Sequence, residues 1–323
     1  GPRVHGEKPA GVGVRPRPFI HVQCHPDRLE QPLHWRKPRR VFVCSMADLF
    51  HDDVPDEFLD RVFAVMALAP QHTFLALTKR PSRMTEYVGA VRAGRRSMIS
   101  GNGGPFRFMD AISIVAWINR GLPNLWLGVS VENQATADYR IPLLLQTPAA
   151  IRFVSCEPML GQVDLARWLR PRSVATGDVT MRLFVVDFAR WLRPRSVPLE
   201  DGYGGEHAPG FTSDMRVLDW VICGGESGPG ARPMSPAWVH SLRDQCVAAG
   251  VPFFFKQWGE FADVTGHSRV GDTIVWPNGD THKVHGGELA ANRYAKIMRR
   301  IGKKAAGREI DGRTHDETPE VTR

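Results

Sequence analysis

Six short apolar runs punctuate the chain: VFVCSMA (41–47), TFLALTK (73–79), LWLGVSVE (125–132), IRFVSCE (151–157), LDWVICGGE (218–226) and VPFFFKQW (251–258). Each is continuous rather than alternating. That is the pattern of a parallel strand covered on both faces. Between them the apolar period changes to that of a helix. In SPAWVHSLRDQCVAAG (235–250), Ser235 is a good N-cap and Pro236 suits the first helical position. Trp238, Leu242 and Cys246 then share one face, and Gly250 supplies the stop. PDEFLDRVFAVMALAP (55–70) places acids in its first turn and Phe58, Val62 and Met66 on one stripe. A third helix is expected around residues 135–146, with its start shifted or kinked by Pro142.

Strand and helix repeating at this spacing predict an α/β fold with a parallel sheet and helical crossovers. Six strands favour an incomplete parallel (β/α) barrel, with an open doubly wound sheet as the alternative. The expected organisation is a flexible tail over 1–19, a partial barrel over 20–262 and a small C-terminal extension over 263–323. Two insertions interrupt the barrel, one Gly- and Arg-rich near 89–104 and one near 175–215. The second adjoins a short duplication, VDLARWLRPRSV (163–174) returning as VDFARWLRPRSV (186–197). It reads as a local duplication tolerated at the surface; the sharper alternative is a paired contact surface. In the extension, TIVWPNGDTHKV (273–284) has the form of a β-hairpin on an Asn-Gly turn.

Charge and cysteine usage narrow the class. Lys and Arg number 42 against 34 Asp and Glu, a formal net charge of +8. Such an excess suits a polyanion, nucleic acid among them, although a solvated basic surface explains it equally. The two densest runs are HWRKPRR (34–40) and MRRIGKKAAGR (298–308). No apolar run reaches the roughly 18 residues of a membrane helix, so no membrane partner is expected. The 5 cysteines lie far apart with no CxxC pair, which fits a reducing cytoplasm and no disulfide framework. Histidines lie mostly in loops and tails, and no metal site is expected. Oligomeric state leaves no trace in the sequence.

Parallel β/α folds carry their chemistry at the C-terminal ends of the strands. The candidate binding residues are therefore Ser45 and Asp48 after the first strand, and Thr78, Lys79 and Arg80 after the second. The third contributes Ser130, Glu132 and Asn133, and the fourth Ser155 and Glu157. The fifth contributes Gly224, Gly225, Glu226 and Ser227, and the sixth Lys256 and Gln257. Buried polar groups without a partner or ligand are costly, so such a rim points to a polar ligand. The structural alternative is that some of these groups cap the next helix or pair with each other. GGESGPG has neither the dinucleotide-binding nor the Walker spacing.

The motifs HPDRLEQPLHWRKPRRVFVCSMADLFHDDVPDEF, LTKRP, LWLGVSVENQ, RFVSCEPMLG, WVICGGESGPGARPM, CVAAGVPFFFKQWGE and KKAAGREIDGRTHDE together resemble a phage- and prophage-encoded family of radical-SAM-like proteins of unknown function. The resemblance covers residues 25–323 apart from the insertions. It implies an incomplete barrel of the radical-SAM type, S-adenosylmethionine as cofactor, and a four-iron four-sulfur cluster on three cysteines of a CxxxCxxC-like loop. Here the chain departs from the family: residues 1–24 hold Cys24 and no triad. The matching strand exits imply that Ser130, Glu132, Glu157 and the turn Gly224-Gly225-Glu226 line the ligand cavity. Lys79, Arg80 and Lys256 would suit a carboxylate or phosphate.

Three functions compete. One is an enzyme of S-adenosylmethionine acting on a nucleic acid or small substrate. The second is a non-catalytic barrel that binds nucleic acid or a protein. The third is a hydrolase or sugar enzyme built on paired acids such as Glu157 and Glu226.

Overall fold

The structure is a computed structural model, and it describes residues 22–45, 47–93, 122–169, 217–286 and 295–320. The expected N-terminal tail, most of the 89–104 insertion, the 175–215 insertion, the second copy of the duplicated pair and residues 170–174 of the first lie outside the described residues.

Six strands hydrogen-bond in chain order: β1 (Arg40–Val43), β2 (Thr73–Thr78), β3 (Leu125–Ser130), β4 (Ile151–Cys156), β5 (Trp220–Gly224) and β6 (Phe253–Gln257). The expected parallel α/β sheet is therefore present, each strand falling inside or at the edge of its apolar run. The chain divides into two compact units, residues 1–131 with 138–155, and residues 132–137 with 156–323.

In the first unit β1, β2, β3 and β4 pair in parallel, with Phe42 beside Leu75 and Leu75 beside Trp126. Its helices are α1 (Asp56–Leu68), α2 (Pro81–Arg92) and the larger part of α3 (Gln134–Gln146). Leu59, Val62, Phe63 and Met66 recur at helical spacing and are buried on α1. Phe63 meets Phe50 with ring centroids 6.3 Å apart and Tyr87 at 5.0 Å, so aromatic packing joins α1 and α2. The Tyr87 hydroxyl donates to the buried Asp60 carboxylate at 2.9 Å. Asn124, just before β3, donates through Nδ2 to the Met66 and Ala69 carbonyls at 2.9 and 3.2 Å. It thereby satisfies carbonyls that the end of α1 leaves without helical partners. Helix α2 starts at Pro81, as its fixed φ allows. Helix α3 occupies the expected span and runs through Pro142, which does not shift its start.

In the second unit β5 and β6 pair in parallel with an irregularity at Cys223/Gly224. Helix α4 (Pro236–Ala249) buries Trp238, Leu242 and Cys246, the face the sequence pattern marked. Gly250 takes the left-handed conformation at φ 69°, and the N–H groups after the helix close on the Cys246 and Val247 carbonyls. Ser235 sits at the N-cap position, but its hydroxyl makes no capping bond. Pro236 has no N–H to offer, and the Trp238 N–H goes to the Ser235 carbonyl instead.

The C-terminal region builds more than the expected hairpin. β8 (Thr273–Val275) and β9 (Thr281–Lys283) form that hairpin, with Gly279 at φ 98° in the turn. They join β7 (Phe261–Asp263) and β10 (Lys296–Arg300) in a four-stranded antiparallel sheet of order β7-β10-β8-β9. A short helix α5 (Lys303–Ala306) follows, then a small ribbon of β11 (Glu309–Ile310) and β12 (Arg313–Thr314). The chain beyond it straps along β6. The Phe255 N–H donates to the His315 carbonyl at 2.9 Å, and the Trp220 and Trp258 indoles donate to the Glu317 and Glu309 carbonyls. An edge strand that would otherwise expose its ladder is thus partly covered.

His315 is buried in this strap, 5.7 Å from the Phe253 ring centroid. Burial, the largest cause, pushes its pKa below the ordinary 6.5. Arg313 and Arg243 add to the lowering, while Glu317 and Asp311 oppose it. The unfolded chain therefore binds the proton more readily than the folded one. The neutral ring's stability is complete above pH 6.5 and is lost as pH falls from there through the folded pKa. Chemical denaturation of the wild-type chain should show declining stability from pH 7 towards pH 5. His315→Gln should flatten that slope, and an unchanged slope would assign the effect to other groups.

Candidate functional site

Each unit carries one polar cluster at its strand ends. In the first, the loop after β1 returns Asp48 towards the end of β2. Its carboxylate accepts four hydrogen bonds. The Thr78 hydroxyl and the Phe50 N–H reach Oδ1 at 2.7 and 3.0 Å. The Lys79 N–H and Arg80 Nη1 reach Oδ2 at 3.0 and 3.1 Å. The buried Thr78 hydroxyl also accepts the Arg80 N–H at 2.9 Å. Asp48, Thr78, Lys79 and Arg80 thus come together as expected. The carboxylate acts as a knot that orders the β2–α2 turn. Beside it lies an open groove of about 430 Å³, lined among others by Asp52, Lys79, Arg80, Ser82 and Tyr139. Ser45 is exposed in the turn after β1. Ser130 is buried, and its carbonyl accepts from Arg140 at 2.7 Å. The carbonyl of Ser155, also buried, accepts the Val131 N–H at 2.8 Å.

In the second unit the glycines explain themselves. A Cβ on Gly225 would overlap the Trp258 carbonyl, and one on Gly259, at φ 80°, would overlap the Glu226 carbonyl. The loops after β5 and β6 therefore touch backbone to backbone. The Gly225 N–H donates to the Gln257 carbonyl at 2.8 Å, and the Glu260 N–H to the Glu226 carbonyl at 3.2 Å. Gln257 is buried, its amide near the Gly225 carbonyl at 3.4 Å. Gly225 is thus engaged in packing the two loops.

Glu226 and Asn133 are occupied by the fold. The Glu226 carboxylate accepts from the Arg232 backbone N–H and Nε at 2.8 Å and from Nη2 at 2.9 Å. That guanidinium holds the Glu226 carboxyl below its usual range. The pair closes the Gly-Pro-Gly loop, and Ser227 is exposed on it. Asn133 accepts the Thr136 N–H through Oδ1 at 3.0 Å, while the Thr136 hydroxyl accepts the Glu132 and Asn133 N–H groups. This is reciprocal capping of α3. The Glu132 side chain is buried, and its carbonyl accepts the Leu160 N–H at 2.7 Å.

Glu157 behaves differently. At the end of β4 its Oε1 pairs with Lys256 Nζ at 2.8 Å, with the two side chains 22% and 51% exposed. A Cβ on Gly224 would lie 3.3 Å from the Glu157 carboxyl carbon, so the bare glycine leaves the carboxylate its place. A pair this exposed contributes only about 0–1 kcal/mol to stability. Sequence reading named both residues but not their pairing. It missed Arg232, whose signal was an acid and an arginine flanking one Gly-Pro-Gly loop.

A family model described as "Protein of unknown function (DUF5131)" matches residues 3–319. The chain belongs to the DUF5131 family. No curated protein and no solved structure matches it.

Does this member hold thiols fit for an iron–sulfur cluster? Ligation needs thiolates that converge. Among the described residues, no group of three or more His, Cys, Asp or Glu side chains is placed to hold a metal ion. Cys156, Cys223 and Cys246 are buried. Burial, the first cause for each, pushes their thiols up, Cys246 to about 12. The Cys223 thiol lies against the Met159 sulfur at 3.8 Å. Cys24 is half-buried and Cys44 exposed, and burial raises both thiols as well. Because no set of these thiols is placed with partners to hold a metal ion, the described residues do not fit the cluster.

Two substitutions test this assignment. Asp48→Ala removes the acceptor of four donors and should cost at least about 2 kcal/mol, since hydrogen bonds to charged groups contribute about 1.5–3 kcal/mol each. Ser45→Ala, on an exposed turn, should stay within about 0.5 kcal/mol. Urea titration followed by circular dichroism reads both. Equal losses would show that Asp48 orders nothing. Gly225→Ala should lower the melting temperature by several degrees, as expected of overpacking that costs about 1–3 kcal/mol.

Proposed function

We propose that the chain is a radical-SAM-like barrel protein that binds a ligand bearing a free α-amino-acid group at Glu157 and Lys256. S-adenosylmethionine is the ligand of this class that the family resemblance implies. The single observation behind the reading is the Glu157–Lys256 pair, half-exposed at the strand ends beside a residue without a side chain. A carboxylate and an ammonium 2.8 Å apart complement a zwitterion, the ligand's ammonium going to Glu157 and its carboxylate to Lys256. Charge-assisted bonds of this kind strengthen as a ligand excludes water.

For this chain the reading is binding rather than cleavage. Its ground is geometric: among the described residues no group of three or more His, Cys, Asp or Glu side chains is placed to hold a metal ion, and Cys156, Cys223 and Cys246 are buried. The paired-acid hydrolase reading loses its second member, because Arg232 occupies the Glu226 carboxylate.

Isothermal titration of the full chain with S-adenosylmethionine, S-adenosylhomocysteine and adenosine tests the proposal. Both amino-acid-bearing ligands should bind, and adenosine more weakly. Glu157→Gln and Lys256→Met should each weaken binding about tenfold or more, the loss expected of one charge-assisted hydrogen bond. If the wild-type chain binds neither amino-acid-bearing ligand, or if both variants bind as tightly as wild type, the assignment is wrong. Anaerobic reconstitution with iron and sulfide should leave no stoichiometric iron. A cluster spectrum would overturn the reading of the thiols.

A further inference from the structure

The two basic runs of the sequence meet different fates. In the C-terminal run the arginines are spent on the protein itself. Arg299 places Nε and Nη2 on the Asp272 carboxylate at 2.9 and 2.7 Å. Arg300 donates to the Pro229 and Gly228 carbonyls, and Arg308 pairs with Asp316. Those contacts brace the antiparallel sheet and the strap. In the run before β1, His34, Arg36, Lys37, Arg39 and Arg40 are all exposed.

This exposed run is held in shape. His72, 1% exposed, accepts the Arg39 N–H on Nδ1 at 3.1 Å and makes a hydrogen bond with the Pro32 carbonyl through Nε2 at 3.0 Å. One imidazole therefore pins both ends of the segment 32–39. Its ring also meets Trp35 edge-on, with centroids 5.5 Å apart. The Arg39 guanidinium lies 4.6 Å from the Trp35 ring centroid, and that of Arg40 lies 5.6 Å from Trp126. Cations that are ordered before a partner arrives lose less side-chain freedom on binding it.

An aromatic platform adjoins them. Side chains two apart on a strand share a face, so Phe42 lies on the face of Arg40. Phe42 is 43% exposed, one of the few large apolar side chains left open to solvent among the described residues. β1 is the first strand in the sheet order, so this face lies at an edge. Only Asp27 and Glu30 oppose the cations within residues 25–40. A ring beside a row of fixed cations matches a chain of phosphates carrying unpaired bases. Duplex would offer the cations its phosphates but no base face to the ring.

We propose that the segment His34–Phe42 is a contact surface for single-stranded nucleic acid, in which Arg36, Lys37, Arg39 and Arg40 meet phosphates and Phe42 stacks on a base. The segment shares no residue with the Glu157–Lys256 pair, and its test does not depend on that reading.

Fluorescence anisotropy of labelled single-stranded 12-mers, DNA and RNA, with the full chain decides the matter. Four phosphate contacts on a single strand give a log–log salt slope of about −2.8, so affinity should fall about 50-fold between 50 and 200 mM salt. The double variant Arg36→Gln/Lys37→Gln changes two exposed side chains and should reduce the slope to about −1.4. Phe42→Ala should weaken binding about tenfold at both salt concentrations, with a far-ultraviolet circular dichroism melt to confirm folding. Three results would overturn the proposal: no binding at 50 mM salt, an unchanged slope in the double variant, or a duplex of the same sequence binding as tightly with no effect of Phe42→Ala. An effect in DNA alone or RNA alone would support it and name the polymer.

Discussion

Two stretches of backbone touch where Gly225 lies against the Trp258 carbonyl and Gly259 against the carbonyl of Glu226. The strand ends of the second unit depend on that approach. Any side chain at either position would separate the loops that follow β5 and β6. Their cross-bonds, from Gly225 to Gln257 and from Glu260 to Glu226, would go with it. The same closeness carries Glu226 to its Arg232 clasp and carries β6 onward into β7. Buried backbone groups need partners, and here two irregular loops supply them to each other. The double glycine is therefore first a packing device. Gly224 differs in lying against the Glu157 carboxylate.

Strand-end acids have two possible employers, the fold and a ligand. Asp48 serves the fold, because four donors saturate it and set the β2–α2 turn. Glu226 serves the fold through a bidentate arginine, and the Asn133 side chain, after β3, caps a helix. Breaking any of these to admit a ligand would strand donors that now have acceptors, at about 1–3 kcal/mol for each buried group. Glu157 is under no such obligation. Its partner is half in water, and exchanging a lysine ammonium for a ligand ammonium leaves every other bond intact.

Much of the fold was legible because the six strands and two of the helices are written in apolar period alone; β1 is the exception to the expected cover on both faces, with Arg40 and Phe42 exposed. Val62 and Met66, or Trp238, Leu242 and Cys246, need no distant partner to declare a helix face, whereas Phe58 of the expected stripe is only half-buried and Leu59 and Phe63 are buried beside it. What stayed hidden depends on residues far apart in sequence. β10 read as a basic run because Lys296, Arg299 and Arg300 mask the buried pair Ile297 and Met298. Its place between β7 and β8 becomes visible only once Arg299 has found Asp272, 27 residues earlier. Helix α2 was hidden by its own start, since Arg80-Pro81 reads as the end of a strand turn as readily as the beginning of a helix. Residue types located the candidate site, but not the division of labour within it. Asp48 and Glu157 look alike as strand-end acids, and only the thirty-residue reach to Thr78 tells them apart.

The same distinction governs the positive charge. A net charge of +8 describes the whole chain and cannot say which cations are available. An arginine whose fork already grips a carboxylate or two carbonyls offers a phosphate little. Releasing it would leave those acceptors without their donor. By that criterion the run from 298 to 308, the denser of the two in lysine, is largely internal structure. The run from 34 to 40 is surface, because its segment is fixed through backbone bonds to His72 and through ring faces. With the segment held in this way, Arg36, Lys37 and Arg39 remain exposed. A histidine that holds a loop by its main chain thus leaves the side chains of that loop to work outward, and it lets a short basic segment be ordered and exposed at once.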